Sequence, residues 1–244
     1  MLEGYTNQVD KFMLMSMKRT GSNHLLGSLQ DASKQKMVWF DAPPETWKTF
    51  GLPFSKNIWD YDIKWCLDKL FERYNGCKIN CDEPAFYNIV DELLQYDVKI
   101  ILLFRENIWE KVISEELAIQ SNHWIAPIGS HRSLKTTHKY ESIDVESMKN
   151  SMNDILSKMN YLKTFVGGNV IPYRYEDLFS RNDYNQSHRD NYFKLLSDLD
   201  IKYEQNRIDD IISQFMEPYN CYKTDDTYQN IANISELEKL KNYL

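Results

Sequence analysis

The sequence contains little of what marks a disulfide-bonded, zinc-binding or membrane-spanning protein. Its four cysteines among 244 residues form no C-x-x-C pair and have no histidine at zinc-ligand spacing, so neither a disulfide framework nor a zinc site is indicated. No apolar run reaches the roughly 18 residues that a membrane span needs, and the first residues lack the apolar segment of a signal peptide. We therefore expect a protein of the reducing cytoplasm.

An excess of basic charge is also missing. Lys+Arg number 29 and Asp+Glu number 36, for a formal net charge of −7. This balance disfavours a surface for nucleic acid or for an anionic membrane, so any anion should bind in a local pocket. A hydrophobic content of 42% indicates a folded chain, and the absence of internal repeats favours one domain over residues 1–244.

Two common nucleotide-binding loops are absent as well, namely G-x-x-x-x-G-K-[ST] and G-x-G-x-x-G. The stretch 12–29 nevertheless predicts a buried strand, a tight loop at 18–22 and a helix on which leucines recur at helical spacing. A helix that begins at such a loop turns its unpaired backbone N–H groups and the positive end of its dipole toward the loop. An anion is the natural ligand there.

The loop residues have matching chemistry. Lys18 and Arg19 supply positive charge, and Thr20 and Ser22 supply hydroxyl donors. Gly21 lets the backbone approach a ligand closely. The alternative is an ordinary strand-to-helix turn in which Ser22 is the N-cap and Arg19 is solvated.

The segment Arg19-Thr20-Gly21-Ser22 resembles the 5′-phosphosulfate loop of sulfotransferases, which follows the first strand and has the form [KR]-[ST]-G-[ST]. Residues 23–26 continue it as in the carbohydrate and bacterial branches of that family. The resemblance implies a donor, 3′-phosphoadenosine 5′-phosphosulfate (PAPS), whose product is adenosine 3′,5′-bisphosphate (PAP). The implied donor-binding residues of this loop are Lys18, Arg19, Thr20, Gly21, Ser22 and Asn23.

A second segment begins with the continuous apolar run 98–104, typical of a strand in the middle of a parallel sheet. The strand delivers Arg105 to its carboxyl end, where open α/β sheets bind ligands. A helix predicted from Ile108 to about Gln120 brings Ser114 behind it. This order resembles the 3′-phosphate segment of sulfotransferases, which implies that Arg105 and Ser114 hold the 3′-phosphate.

The same residues allow a plainer interpretation. Arg105 has two acids close by in sequence, Glu106 and Glu110. A salt bridge with either of them, and a Ser114 that merely lies on a helix, is the alternative to a phosphate site.

Together these patterns predict an α/β, P-loop-like three-layer fold with a central parallel sheet flanked by helices. An aromatic-rich insertion is expected at about 45–75 and an acceptor-binding loop at about 121–140. Further strands are expected at 36–41, 78–81 and 169–173. Further helices are expected at 82–94, 144–165, 189–199 and 207–217.

The catalytic base and the C-terminal contact follow from the resemblance alone. Relatives place an acid after the first helix, and Asp41 stands at that position, with Glu45, Glu83 and His24 as alternatives. Relatives also close a basic loop near the C-terminus over the 3′-phosphate, a role for which Lys223 is the candidate.

Two departures from the family pattern are visible. Residues 84–87, Pro-Ala-Phe-Tyr, resemble a sulfotransferase segment that begins with a lysine, but Asp82 stands in the place of that lysine. The neighbours of Asp41 do not match either. The Tyr-Glu-Asp-Leu segment at 175–178 resembles the family and is assigned a structural role.

The resemblance implies sulfuryl transfer from PAPS to a hydroxyl or amine of a carbohydrate or small-molecule acceptor, with Arg19 and Asp41 as catalytic residues. It implies no metal, and no nucleic-acid or membrane partner. A catalytically inactive nucleotide-binding protein of the same fold is the main alternative. A small-molecule kinase is the other, and the missing Gly-Lys loop counts against it.

Overall fold

A parallel sheet of five strands is the centre of the fold. The computed structural model describes residues 10–35, 37–39, 62–81, 86–121, 139–179, 184–216 and 228–243. The strands are β1 (Phe12–Ser16), β2 (Met37–Trp39), β3 (Gly76–Asn80), β4 (Lys99–Phe104) and β5 (Val170–Arg174). Their order across the sheet is β2-β3-β1-β4-β5, and all neighbours run parallel.

The two apolar runs of the sequence occupy the middle of this sheet. All five residues of β1 are buried, and so are the residues of β4 from Ile100 to Phe104. Strands covered on both faces lack the alternation of apolar and polar residues that a half-exposed strand shows. The prediction that 98–104 forms an inner strand is confirmed, because β4 pairs with β1 on one side and β5 on the other.

Helices cover both faces of the sheet. They are α1 (Ser22–Ser33), α2 (Ile63–Phe71), α3 (Phe86–Leu93), α4 (Ile108–Ser121), α5 (Val145–Lys163), α6 (Tyr175–Leu178), α7 (Gln186–Asp198), α8 (Gln205–Phe215) and α9 (Ile234–Leu237), which continues into a 3₁₀ helix (Glu238–Asn242).

Two separate apolar clusters define the layers. One face of the sheet, which includes Met13, Ile79 and Leu102, packs against α2, α3, α4 and α5. The opposite face, which includes Leu14 and Ile101, packs against α1, α7 and α8. The predicted P-loop-like α/β fold, with a central parallel sheet flanked by helices, is therefore confirmed.

The end of the chain is fixed against α4. The indole N–H of Trp109 donates a hydrogen bond of 2.7 Å to the carbonyl oxygen of Leu237. The ring of Tyr228 meets the Trp109 indole edge-on at 5.7 Å. Among the described helices, none is both long and apolar enough to cross a bilayer.

Several element boundaries differ from those that periodicity predicts. Helix α7 begins at Gln186 rather than near residue 189, because Asn185 caps it and exchanges hydrogen bonds with His188 in a capping box. Strand β3 begins at Gly76 rather than Lys78. Of the predicted strand 36–41 the structure describes Met37–Trp39, and of the insertion at 45–75 it describes 62–75.

Candidate donor-binding site

The register of the parallel strands brings the predicted segments to one edge of the sheet. Ser16, the last residue of β1, stands beside Leu103 of β4. Phe104 in turn pairs with Arg174 at the end of β5. The loop after β1, Arg105 after β4 and the turn after β5 therefore leave the sheet at the same carboxyl edge, where parallel α/β sheets bind ligands.

The loop after β1 turns sharply into helix α1. The Thr20 hydroxyl donates to the Met17 carbonyl oxygen at 2.7 Å, and both Arg19 (φ 64°) and Gly21 (φ 70°) are left-handed. Gly21 is the N-cap and, as a glycine, has no side chain with which to cap the helix. The alternative with Ser22 as N-cap is therefore wrong. The N-terminus of α1 opens on this turn, as in an anion-binding loop.

Two aromatic rings lie against this turn. Tyr175 and Phe179 stack with their ring centroids 5.0 Å apart. A Cβ atom at Gly21 would lie 3.0 Å from the Phe179 ring and 3.2 Å from the Tyr175 ring. Gly21 is therefore required both by its left-handed backbone and by the close approach of α6.

Arg19 connects the two predicted halves of the site. Its Nε donates a hydrogen bond of 3.0 Å to the Ser114 hydroxyl on α4, 95 residues later. The loop implied to bind the 5′-phosphosulfate and the segment implied to bind the 3′-phosphate are thus in direct contact. Lys18 lies half-buried beside Arg19 in the same turn, and Thr20 and Ser22 are buried.

Arg105 is buried at this edge, with 5% of the residue exposed. Its guanidinium is ion-paired with Glu110 on α4 and lies over the ring of Tyr175 at 4.9 Å from the centroid. Its Nε has no hydrogen-bond partner among the described residues, and Glu176 Oε1 stands 4.0 Å away. The salt bridge that the sequence offered as the alternative is present with Glu110, whereas Glu106 pairs with Arg174 at 3.3 Å.

Glu176 and Tyr175 are site residues that the sequence analysis assigned to structure only. The carboxylate of Glu176 accepts hydrogen bonds from the backbone N–H groups of Glu106 (3.2 Å) and Asn107 (3.4 Å). It therefore fixes the corner between β4 and α4, which carries Arg105. Its place two residues after the end of β5, at the carboxyl edge of the sheet, is the feature of the sequence that could have suggested a role in the site.

A second buried cation lies one helical turn before Ser114. Lys111 is 2% exposed, and its Nζ is ion-paired with Glu115 at 2.6 Å. Burial, and then the negative charge of Glu115, raise the pKa of the Glu116 carboxyl. The single cation of helix α4, Lys111, is thus neutralised by an acid of the same helix.

The start of α1 places Asn23 and His24 next to the loop. The side-chain oxygen of Asn23 and Nε2 of His24 are buried without a hydrogen-bond partner among the described residues. Burial, and then the positive charge of Arg19, lower the pKa of His24 below 6.5. The imidazole is therefore neutral at neutral pH, the form that a proton acceptor needs.

Several candidate residues lie outside the described parts of the chain. They are Asp41, Glu45, Asp82, Glu83 and Lys223, together with most of the expected acceptor loop at 121–140. In the parts that are described, no three His, Cys, Asp or Glu side chains converge as a metal site would need.

Comparisons with known proteins find similarity among solved structures. No protein-family model matches the chain, and no curated protein matches it in sequence. Among solved structures, the chain is similar to mouse sulfotransferase SULT7A1 complexed with PAP, with a TM-score of 0.50 and 14% sequence identity. The match covers 84% of this chain and 63% of the mouse chain. This chain therefore shares its fold with a sulfotransferase of which it spans less than two thirds.

Proposed function

We propose that the protein is a sulfotransferase that moves a sulfuryl group from PAPS to a hydroxyl or amine of a carbohydrate or small molecule. The observation that carries the proposal is the hydrogen bond of Arg19 to Ser114 at the carboxyl edge of the sheet. It joins the two sequence segments that resemble the donor-binding segments of sulfotransferases. The fold shared with a sulfotransferase complexed with PAP is consistent with it.

In this proposal Arg105 and Ser114 bind the 3′-phosphate of the donor. A buried guanidinium can grip two phosphate oxygens through parallel N–H groups, and a hydroxyl adds a further donor. The Arg105 Nε, buried and without a hydrogen-bond partner among the described residues, is one donor that such a phosphate would satisfy. Lys223 would close over the same phosphate.

The 5′-phosphosulfate would bind at the loop after β1. Lys18 and Arg19 bring positive charge, Ser22 brings a hydroxyl group, and Asn23 lies in the first turn of α1. The Thr20 hydroxyl, which donates to the Met17 carbonyl oxygen, would hold the shape of the loop. The N-cap Gly21 has no side chain to compete for the first N–H groups of that helix, and such groups bind phosphate oxygens directly.

The transfer itself requires no covalent protein intermediate. The acceptor oxygen or nitrogen attacks the sulfur atom, and the bond from sulfur to the bridging oxygen of the 5′-phosphate breaks with its electron pair on that oxygen. The acceptor proton passes to a base, for which Asp41 is the proposed residue. Arg19 and Lys18 stabilise the charge that develops on the leaving phosphate, as in phosphoryl transfer.

Calorimetric titration with PAP tests the donor site. We expect the wild type to bind, and Arg19→Ala and Arg105→Ala each to lose at least about 1.5 kcal/mol, since each removes a charged hydrogen-bond donor from a pocket. Arg207→Ala is the matched control, because Arg207 pairs with Asp31 on a different part of the surface. A wild type that does not bind PAP refutes the proposal.

Turnover separates an enzyme from an inactive nucleotide-binding protein. Asp82, where the related segment has a lysine, favours the inactive alternative. We expect PAPS to be converted to PAP in the presence of a hydroxyl- or amine-bearing acceptor, and Asp41→Asn to abolish that conversion without weakening PAP binding. Binding of PAP without conversion across a broad acceptor panel would identify the inactive alternative.

A further inference from the structure

The guanidinium of Arg105 already has an anionic partner in the chain. The carboxylate of Glu110 is ion-paired with it, and the two side chains are 5% and 23% exposed. Glu110 lies in the first turn of α4, where its backbone N–H donates to the Asn107 side chain at 3.0 Å. The Glu110 carboxylate is therefore held against Arg105, the residue predicted to bind phosphate, and remains partly exposed to solvent.

The other acid near Arg105 is engaged elsewhere. Glu176 accepts hydrogen bonds from two backbone N–H groups at the start of α4, and its Oε1 stays 4.0 Å from Arg105 Nε. Tyr175 covers the face of the guanidinium. Glu110 is thus the carboxylate that directly occupies Arg105, and Arg105 Nε remains without a hydrogen bond in the described part of the chain.

We propose that Glu110 is a built-in competitor for the 3′-phosphate of the donor, an inference that rests on the proposed function. A buried arginine without an anion is costly, so Glu110 neutralises Arg105 while the site is empty. A phosphate that binds Arg105 displaces the carboxylate, which turns toward the solvent that it already touches. The free energy of the lost ion pair is subtracted from the free energy of binding.

Such a competitor weakens the hold on the product and keeps weakly binding anions away from Arg105. A dianionic phosphate monoester can accept from several guanidinium N–H groups at once, which a singly charged anion does less well. A nucleotide without a 3′-phosphate leaves the pair of Arg105 and Glu110 intact. Discrimination between a phosphate monoester and a weaker anion at Arg105 then comes from the competing carboxylate as well as from the attractive guanidinium.

The substitution Glu110→Gln tests the proposal, because it removes the charge and keeps the shape. We expect PAP to bind about 5- to 100-fold more tightly than to the wild type, the usual range for coupled equilibria. Binding of adenosine 5′-monophosphate, which has no 3′-phosphate, is expected to stay unchanged. Without nucleotide the melting temperature is expected to fall, and the rise on adding PAP is expected to exceed that of the wild type.

The matched control is Glu106→Gln. It removes the same charge from a position next to Arg105 in sequence, but Glu106 pairs with Arg174 on the exposed surface. We expect PAP affinity in this variant to stay within about twofold of the wild type, because charges in water are strongly screened. Should Glu110→Gln not fold, Glu110→Asp keeps the charge, shortens its reach, and is expected to tighten PAP binding too.

The outcomes separate this proposal from the function on which it rests. If the wild type binds PAP and the Glu110 variants bind it no more tightly, Glu110 is not a competitor and the donor site stands. If Glu106→Gln raises PAP affinity as much as Glu110→Gln does, the proposal is also overturned. The gain would then come from the lower negative charge of the protein and not from the ion pair with Arg105. A wild type that does not bind PAP overturns the proposed function, and this proposal fails with it.

Discussion

A buried arginine needs other groups to share its charge, and Arg105 has three neighbours that do so. Glu110 forms the ion pair, Tyr175 offers its ring face, and Glu176 stands at 4.0 Å. A structural arginine would have all its N–H groups satisfied, because an unpaired buried donor is expensive. Within the described ranges the Nε of Arg105 has no hydrogen-bond partner, which at the scale of a residue favours a ligand site.

His24 provides a pH-dependent prediction at the same scale. Burial and the charge of Arg19 lower the pKa of His24 in the folded protein, so the unfolded chain binds the proton at a higher pH. The contribution of His24 to stability is complete above about pH 6.5 and is lost as the pH falls through the lower folded pKa. We expect His24→Gln to reduce the loss of stability between about pH 7.5 and about pH 5.5.

Urea unfolding at the two pH values measures this loss in each protein. The comparison uses the change between the two pH values, so a general effect of the substitution on stability cancels. An equal change in wild type and His24→Gln would show that His24 is not held in its neutral form.

The sequence predicted some of the residues of the candidate site, but it did not predict which residues they contact. Arg19 and Ser114 were identified by motif and spacing, and their hydrogen bond brings them together. Glu176 was missed as a site residue because its contacts are with backbone groups 69 and 70 residues earlier. A local sequence pattern does not show which carboxylate will accept hydrogen bonds from the backbone of a distant segment.

At the scale of elements, the junction of β1 and α1 depends on how closely α6 approaches it. Gly21→Ala places a methyl group 3.0 Å from the Phe179 ring on a left-handed residue. The backbone conformation alone costs about 1–2 kcal/mol for an L-residue, and the contact adds about 1–3 kcal/mol of overpacking. We expect both terms to lower the free energy of unfolding in urea.

Gly168→Ala separates the two terms. Gly168 is also left-handed, but a Cβ atom there meets nothing within 4 Å. Its substitution should therefore cost only the backbone term. If Gly21→Ala and Gly168→Ala destabilise equally, the packing of α6 on the loop contributes nothing measurable.

Periodicity predicted the elements better than their ends. Burial determines where apolar residues recur along the chain. The apolar runs were therefore sufficient to predict β1 and β4, and the helical spacing of apolar residues was sufficient to predict α5. The ends depend on single polar contacts, such as the hydrogen bonds of Asp144 to Ser147 at the start of α5 and of the Asn185 cap on α7. Such contacts shift a boundary by a few residues without changing the apolar pattern.

At the scale of the whole molecule, the sequence predicted a parallel sheet but not its strand order. Strand β3 lies between β2 and β1. The connection from β1 to β2 therefore skips the position of β3, and the connection from β3 to β4 crosses over β1. That order brings β1 and β4 side by side and sets their following loops next to each other. Arg19 and Arg105 are far apart in sequence, but they follow strands that are neighbours in the sheet. The strand order is needed to see this.

Titration of the wild type with three nucleotides tests most directly whether the two segments form one donor site. The ligands are PAP, adenosine 5′-monophosphate and adenosine 3′-monophosphate. If Arg19 and Arg105 serve different phosphates of one molecule, PAP should bind at least about tenfold more tightly than either monophosphate, since each contributes charged hydrogen bonds. Affinity for PAP no higher than for adenosine 5′-monophosphate would mean that Arg105 and Ser114 hold no 3′-phosphate.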